Sequence, residues 1–324
     1  MKAVLCRRYG ELEDLEVGEI DPPALTPDGV RVRVDAAALN FPDILMVQGK
    51  YQYKPDFPFS PGMECVGRVT EVGPEAGDIQ PGQRVIAHPW VGCFAEEVVA
   101  PRQVVFPVPA HVDDAAAAGF GLTYGTVYHA LIDRGGLQAG ETLLVYGAAG
   151  GVGLAAVEVG KLLGATVIAA AGSAEKLAVC EGYGADQLID YTTEPIRDRV
   201  KELTGGRGAD VIFDPVGGDM TDTTLRCINW HGQLLIVGFA AGRIAQLPAN
   251  LVLIKGCEVV GVAYQRFSRL EPDRSRANMA ELMGWWAAGK LKPHVSMTFP
   301  LNRTVDAMRA IVDRQSTGQV VVTM

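Results

Sequence analysis

The chain predicts an α/β fold in which a doubly wound, six-stranded parallel sheet is accompanied by a β-rich second domain. Three observations carry this. From residue 143 to residue 263 short apolar runs alternate with helical patterns, the signature of a parallel sheet wound by helices. The first alternation opens on TLLVY followed by GAAGGVG at 142–153, an apolar run of strand length that leads into a glycine-rich turn and a small-residue helix. Residues 1–117 read differently, with short β-like pieces in a background rich in Val, Pro and Gly.

In order, the N-terminal region offers strands at 2–5, 30–37, 65–72, 84–87 and 96–100. The turn signals TPDG at 26–29, SPG at 60–62, VGP at 72–74 and QPG at 80–82 separate them, as in a compact and mostly antiparallel domain. Inside it, LNFPDILMVQGKY at 39–51 predicts a short helix from Pro42 and then a loop. Asp43 stands near the start of that helix, where a negative charge is favourable, and this outweighs a catalytic role for it.

A helix over 115–118 and another over 123–134 lead into the α/β region. There, strands at 143–146, 166–171, 187–189, 211–214, 233–237 and 259–263 alternate with helices at 152–163, 174–182, 194–203 and 219–228. After 263 the pattern changes to helices at 278–288 and 304–314 and a last strand at 319–323, which predicts a return to the N-terminal domain. The expected domains are therefore 1–121 with 264–324, and 122–263.

Composition narrows the function. A chain of 324 residues, 48% hydrophobic and 21% charged, is of ordinary globular composition and long enough for two domains. A net charge of −9 disfavours nucleic acid and anionic membrane surfaces as partners. The N-terminus lacks the apolar core of a signal peptide, so the expectation is cytoplasmic, and no apolar run reaches the ~20 residues of a membrane span. The six cysteines are scattered without a short-spaced pair, and the five histidines show neither HxxxH nor HExxH, so no metal site is legible.

In the glycine turn, Gly150 lets a backbone approach a pyrophosphate, Gly153 permits close packing, and the helix start through Gly151 and Val152 offers N–H groups to an anion. The first glycine of the dinucleotide fingerprint is replaced by Ala148. Taken alone, such a turn also occurs in α/β proteins without a nucleotide.

With LNFPD at 39–43, PGMECVG at 61–67, GLTYGTVYHAL at 121–131, AGSAEK at 171–176, IDY at 189–191 and DPVGG at 214–218, the chain resembles the medium-chain dehydrogenase/reductase superfamily over its whole length. Its closest resemblance is to the zinc-free, zeta-crystallin-like quinone oxidoreductases. The resemblance implies a discontinuous GroES-like catalytic domain, a Rossmann domain and a homodimer. Zinc alcohol dehydrogenases of the superfamily carry a histidine in a GHE motif, and here the stretch reads Gly62-Met63-Glu64. A thioether is a poor substitute for imidazole at such a site, so zinc chemistry is disfavoured, and Cys65 and His88 read as packing or surface residues.

NAD enzymes place an acid ~20 residues past the glycines to hold the ribose hydroxyls. Here the strand ends in Ala171, Gly172 and Ser173, with Lys176 on the following helix, and the resemblance adds Tyr191 beside the 2′-phosphate. NADPH is expected over NADH. Without zinc, the acceptor must be activated by hydrogen bonds, which suits hydride addition to a quinone or another α,β-unsaturated carbonyl.

The resemblance places Asn40 near nicotinamide and substrate, offers Tyr51 as proton donor or oxygen ligand, and sets Thr123 and Tyr124 beside the nicotinamide. Alternatives stay open: Asn40 could cap its helix, Tyr53 could replace Tyr51, and Tyr124 could only pack. Reduction of 2-enoyl thioesters, and a catalytically idle NADPH-binding sensor, are the competing functions.

Overall fold

In the computed structural model, residues 1–109 and 111–324 are described. They form two compact units: Met1–Leu122 with Glu271–Ala287 and Lys292–Met324, and Thr123–Leu270 with Ala288–Leu291.

The first unit opens with β1 (Lys2–Leu5) and β2 (Glu16–Glu19), an antiparallel pair. Then come β3 (Gly29–Leu39), α1 (Phe41–Val47), β4 (Glu64–Val72), β5 (Arg84–Ala87), β6 (Glu97–Pro101), β7 (Val105–Pro107) and α2 (Asp114–Ala118). β2 escapes sequence detection because it has no apolar alternation: three of its four residues are exposed and none is buried. The long β3 alternates Val30, Val32 and Val34 into the core and then becomes buried on both faces over Ala36–Leu39. Asp113 accepts from Ala116 N at 2.9 Å and so caps α2.

α3 (Phe120–Tyr128) continues as a π-helical stretch over His129–Arg134, closed by Gly135 N donating to Ala130 O at 2.8 Å. The sequence predicts one regular helix here. Within the π stretch His129 Nδ1 lies 2.8 Å from Asp133 Oδ2, and its ring stacks on Phe267 at 3.9 Å.

The second unit carries β8 (Thr142–Tyr146), α4 (Gly151–Leu162), β9 (Thr166–Ala171), α5 (Ala174–Gly182), β10 (Gln187–Asp190), α6 (Ile196–Leu203), β11 (Ala209–Asp214), α7 (Gly218–Thr224), β12 (Ile228–Ile236), α8 (Ala249–Lys255), β13 (Glu258–Gly261) and α9 (Tyr264–Leu270). Its sheet has the order β10-β9-β8-β11-β12-β13 with every pairing parallel, a doubly wound Rossmann sheet. The core is Leu144, Tyr146, Ile168, Ile189, Ile212 and Leu234 with their neighbours. α7 stops at Thr224 and β12 begins at Ile228, earlier than the residue 233 expected from pattern. The polar run of Asn229, Trp230 and His231 conceals it, and His231 takes a left-handed φ of 60° as the register shifts between Ala209 and Val211. α8 has no buried residue, and neither it nor α9 is read from the sequence.

The chain then returns to the first unit with α10 (Pro272–Ala287), β14 (Val295–Pro300), α11 (Thr304–Val312) and β15 (Gln319–Thr323). The sheet there runs β14-β15-β3-β4-β5-β7, with β6 also on β3, and only β14 pairs in parallel. This is the discontinuous GroES-like domain, completed by β15 against β3. No helix among the described residues is long and apolar enough to cross a membrane.

Candidate functional site

In the second unit, all five residues of β8 are buried and run into Gly147, whose φ of 57° starts the turn. Gly150 N donates to Gly147 O at 2.9 Å, and Gly150 is the N-cap of α4. A Cβ on Gly153 would lie 2.2 Å from Gly147 O, so only glycine lets α4 start this close to the turn. A Cβ on Gly150 would meet nothing nearer than Gly147 O at 3.4 Å, an ordinary contact, so the chain's own packing does not demand glycine there.

Ala148 is fully buried and its N–H donates to Ala170 O at 3.1 Å, which pins the turn to β9. Gly147 supplies the left-handed residue, and alanine is therefore tolerated at 148. Gly151 and Val152, half-buried, begin a helix whose first N–H groups have no partner within the helix.

At the end of β9, Ser173 caps α5, its Oγ accepting from Lys176 N at 3.3 Å. A Cβ on Gly172 would fall 2.8 Å from the Tyr191 hydroxyl, so glycine leaves room for the phenol. Tyr191 N donates to Ala171 O at 3.2 Å. Gly172, Ser173, Lys176 and Tyr191 thus share one corner and are all half-buried. Two acids lie nearby: Glu175, exposed on α5, is hydrogen-bonded to the Ser173 side chain, and Asp190 accepts from Thr192 N and Oγ1 at 2.9 and 2.6 Å.

In the first unit, Asn40 stands at the N-cap of α1, where it forms a capping box with Asp43. Asp43 Oδ2 accepts from Asn40 N at 2.8 Å and its Oδ1 from Gly62 N at 3.2 Å. The Asn40 carboxamide also reaches Glu64, its Nδ2 donating to Oε1 at 2.9 Å. Leu122 N donates to the other oxygen, Oε2, at 2.8 Å. A Cβ on Gly121 would meet both His88 Nδ1 at 3.0 Å and Glu64 Oε2 at 3.7 Å, so the imidazole and the carboxyl converge there.

Asp43, Glu64 and His88 are all buried. Burial pushes Glu64 up to about 8 against the two N–H donors from Leu122 and Asn40, with a further rise from the Asp43 charge. Burial likewise raises Asp43 to about 7, and it drives His88 down to about 4, leaving a neutral ring. Near neutral pH this cluster therefore holds exchangeable protons on Glu64 and Asp43 beside an uncharged imidazole.

Tyr51 is half-buried, and its hydroxyl is pushed up by burial and by the Asp43 charge against a hydrogen bond from Gln52, whereas Tyr53 is 44% exposed. In the second unit Thr123 is buried. Tyr124 is buried too, and its hydroxyl donates to Glu158 on α4 at 2.7 Å, so the phenol serves packing of α3 on α4. Sequence reasoning passed over Glu64, treating GME only as a missing histidine. The signal was present, since Glu64 is the one charge between Pro61 and Val66 in an otherwise uncharged run.

Residues 26–110 match the alcohol dehydrogenase GroES-like domain family, and residues 151–283 match the zinc-binding dehydrogenase family. A quinone oxidoreductase-like protein 2 homolog from Nematostella vectensis is 40% identical, over 99% of this chain and 88% of its own length. The chain belongs to the quinone oxidoreductase branch of the medium-chain dehydrogenase/reductase superfamily. It is an oxidoreductase. Quinone oxidoreductase of Pseudomonas syringae superposes with a TM-score of 0.94 at 30% identity, over 100% of this chain and 99% of the other. The Escherichia coli quinone oxidoreductase, solved in complex with NADPH, gives 0.93 at 26% identity over 100% of both chains. Despite the wording of the second family's description, the described residues contain no group of three or more His, Cys, Asp or Glu side chains that could hold a metal ion.

Proposed function

We propose that this oxidoreductase transfers hydride from NADPH to a quinone or another α,β-unsaturated carbonyl, without zinc, the second unit acting as the cofactor domain and the first as the catalytic domain. The observation that carries the reading is the corner at the end of β9. The strand ends in Ala171 and Gly172, without an acid of its own to hold a ribose 2′-hydroxyl, and Ser173, Lys176 and the Tyr191 hydroxyl lie around Gly172. Gly150, open where its own chain would tolerate a side chain, and the N–H groups of Gly151, Val152 and Gly153 suit the pyrophosphate, with Ala148 shaping the turn. When bound, the nicotinamide supplies the hydride.

The protein's part is to orient the acceptor, polarise its oxygen and deliver a proton. Asn40, held by Glu64, presents its carboxamide to the acceptor oxygen. Tyr51, rather than the more exposed Tyr53, donates the proton, its phenol being in the protonated form at neutral pH. Thr123 borders the nicotinamide, and Tyr124 supports it from behind through Glu158. Met63, buried in the segment where zinc-dependent relatives have histidine, favours a zinc-independent reaction.

The test is NADPH oxidation with 1,4-benzoquinone, 1,4-naphthoquinone, an alkenal and crotonyl-CoA. Turnover of the quinones or the alkenal is expected. Activity on crotonyl-CoA alone would assign the protein to enoyl thioester reduction, and none with any acceptor would make it a binding protein. In the same assay Tyr51→Phe lowers turnover by about 10²-fold; unchanged rates on quinone and enone would remove Tyr51 from catalysis.

The protein also acts as a homodimer in this proposal. β13 is an unpaired edge of the parallel sheet, and Val259 on it, Trp230 on β12, and Leu253 and Ile254 on α8 are all exposed. A second copy is the occupant proposed for that edge. Val259→Asp should shift the sedimentation coefficient from dimer to monomer, and a wild-type chain sedimenting as a monomer would refute the pairing.

A further inference from the structure

The mechanism leaves Trp90 unused, and its backbone is unusual. Its φ of 74° is a left-handed conformation that a bulky side chain adopts only under constraint. The constraint is a zipper of backbone bonds. Trp90 N donates to Met63 O at 3.2 Å, Gly92 N to Ser60 O at 2.8 Å, Cys93 N to Gly62 O at 3.1 Å and Phe94 N to Pro61 O at 2.9 Å. Gly62 and Gly92 meet the positive φ of the same zipper, at 98° and 99°, with the residue that suits it. Within this zipper, position 90 carries an indole in that conformation instead of glycine.

Core filling does not account for that choice, because Trp90 is only half-buried. Its indole stands edge-on to His88, with centroids 5.5 Å apart and planes at 71°, and His88 is stacked on Phe106 at 5.6 Å and 19°. The ring is thus propped by an uncharged aromatic shelf. The zipper that carries it is also the support of Asn40, since Gly62 N is held by Asp43, which holds Asn40 N. Indole and carboxamide are mounted on one rigid frame.

We propose that Trp90 is a specificity-determining residue of the acceptor site, its indole forming a flat wall against which planar, ring-bearing acceptors stack, so that aromatic quinones are preferred to acyclic enones. This rests on the quinone or enone reading above. A stacked fused ring buries apolar area and gains the offset aromatic geometry, and a short acyclic enone gains neither.

Trp90→Gly tests it, because glycine takes the left-handed conformation without strain and leaves the zipper intact. The melting temperature should not fall. The KM for 1,4-naphthoquinone should rise about tenfold, that for but-3-en-2-one should change less than about twofold, and Trp90→Phe should recover most of the loss. Equal changes for both acceptors, no change for naphthoquinone, or a lowered melting temperature with parallel loss on both would overturn the assignment. If the wild-type protein turns over neither acceptor, the reading of its function fails, and calorimetric titration with 1,4-naphthoquinone then decides separately. Weaker binding to Trp90→Gly than to wild type upholds the wall, and equal binding refutes it.

Discussion

Lys176→Ala should raise the KM for NADPH by more than about tenfold while leaving that for NADH within about twofold. A charge-assisted hydrogen bond to a phosphate is worth ~1.5–3 kcal/mol, and 1.4 kcal/mol is about a factor of ten. The geometry explains why the loss should fall on one cofactor. Lys176 lies in the first turn of α5, whose cap is Ser173, so its side chain leaves from the helix end that favours anions. Tyr191, packed against Gly172, approaches the same corner from the next strand. NADH carries no charge there for Lys176 to meet. The measurement is initial-rate kinetics with both cofactors at saturating acceptor. Equal increases for the two would remove Lys176 from phosphate recognition, leaving an ordinary helix lysine beside Glu175.

The corner proposed to hold the cofactor was legible as local structure, because its parts are close in sequence. Strand, turn and helix follow one another over 142–153, and again over 166–182, so hydrophobic period and glycine spacing suffice to place Gly150, Ser173 and Lys176. The parallel order of the second unit's sheet follows from alternation alone. Elements stabilised by distant partners were harder to see. β2 is defined by pairing with β1, and β12 starts within a polar run that only its neighbours β11 and β13 make a strand.

The buried cluster around Asn40 and Glu64 was legible only in part, for the same reason. Asn40 and Asp43 are neighbours in sequence, but Glu64 is 24 residues from Asn40, and the Leu122 N–H that completes its hydrogen bonds is 58 residues further on. No spacing rule links them. At position 40 both local and distant partners are present: Asn40 shares a capping box with Asp43, and its Nδ2 reaches Glu64.

Glu64→Gln should lower kcat/KM by about tenfold and remove an inflection near pH 8 from its pH profile. Glutamine keeps the shape of the side chain but offers one acceptor and one amino group where two N–H donors converge, from Asn40 and Leu122. One donor then faces a donor, and a buried mismatch of that kind costs ~1–3 kcal/mol. The inflection has its source in Glu64 itself. Burial raises its carboxyl from 4.5 to about 8, so between those values the folded protein holds a proton that the unfolded chain has released.

Stability from this group is accordingly complete below about pH 4.5 and is lost as pH rises through about 8. Over that window the wild-type unfolding free energy should fall more steeply than that of Glu64→Gln, by up to about 1.4 kcal/mol per pH unit, the value for one proton. Asp43, raised by burial to about 7, contributes a slope of the same sign to both proteins and cancels in the comparison unless the two carboxyls titrate together. Urea melts from pH 5 to pH 9 give the slopes. Parallel curves for the two proteins would mean that Glu64 is ionised throughout, and Asn40 would then be oriented by a carboxylate rather than by a neutral acid.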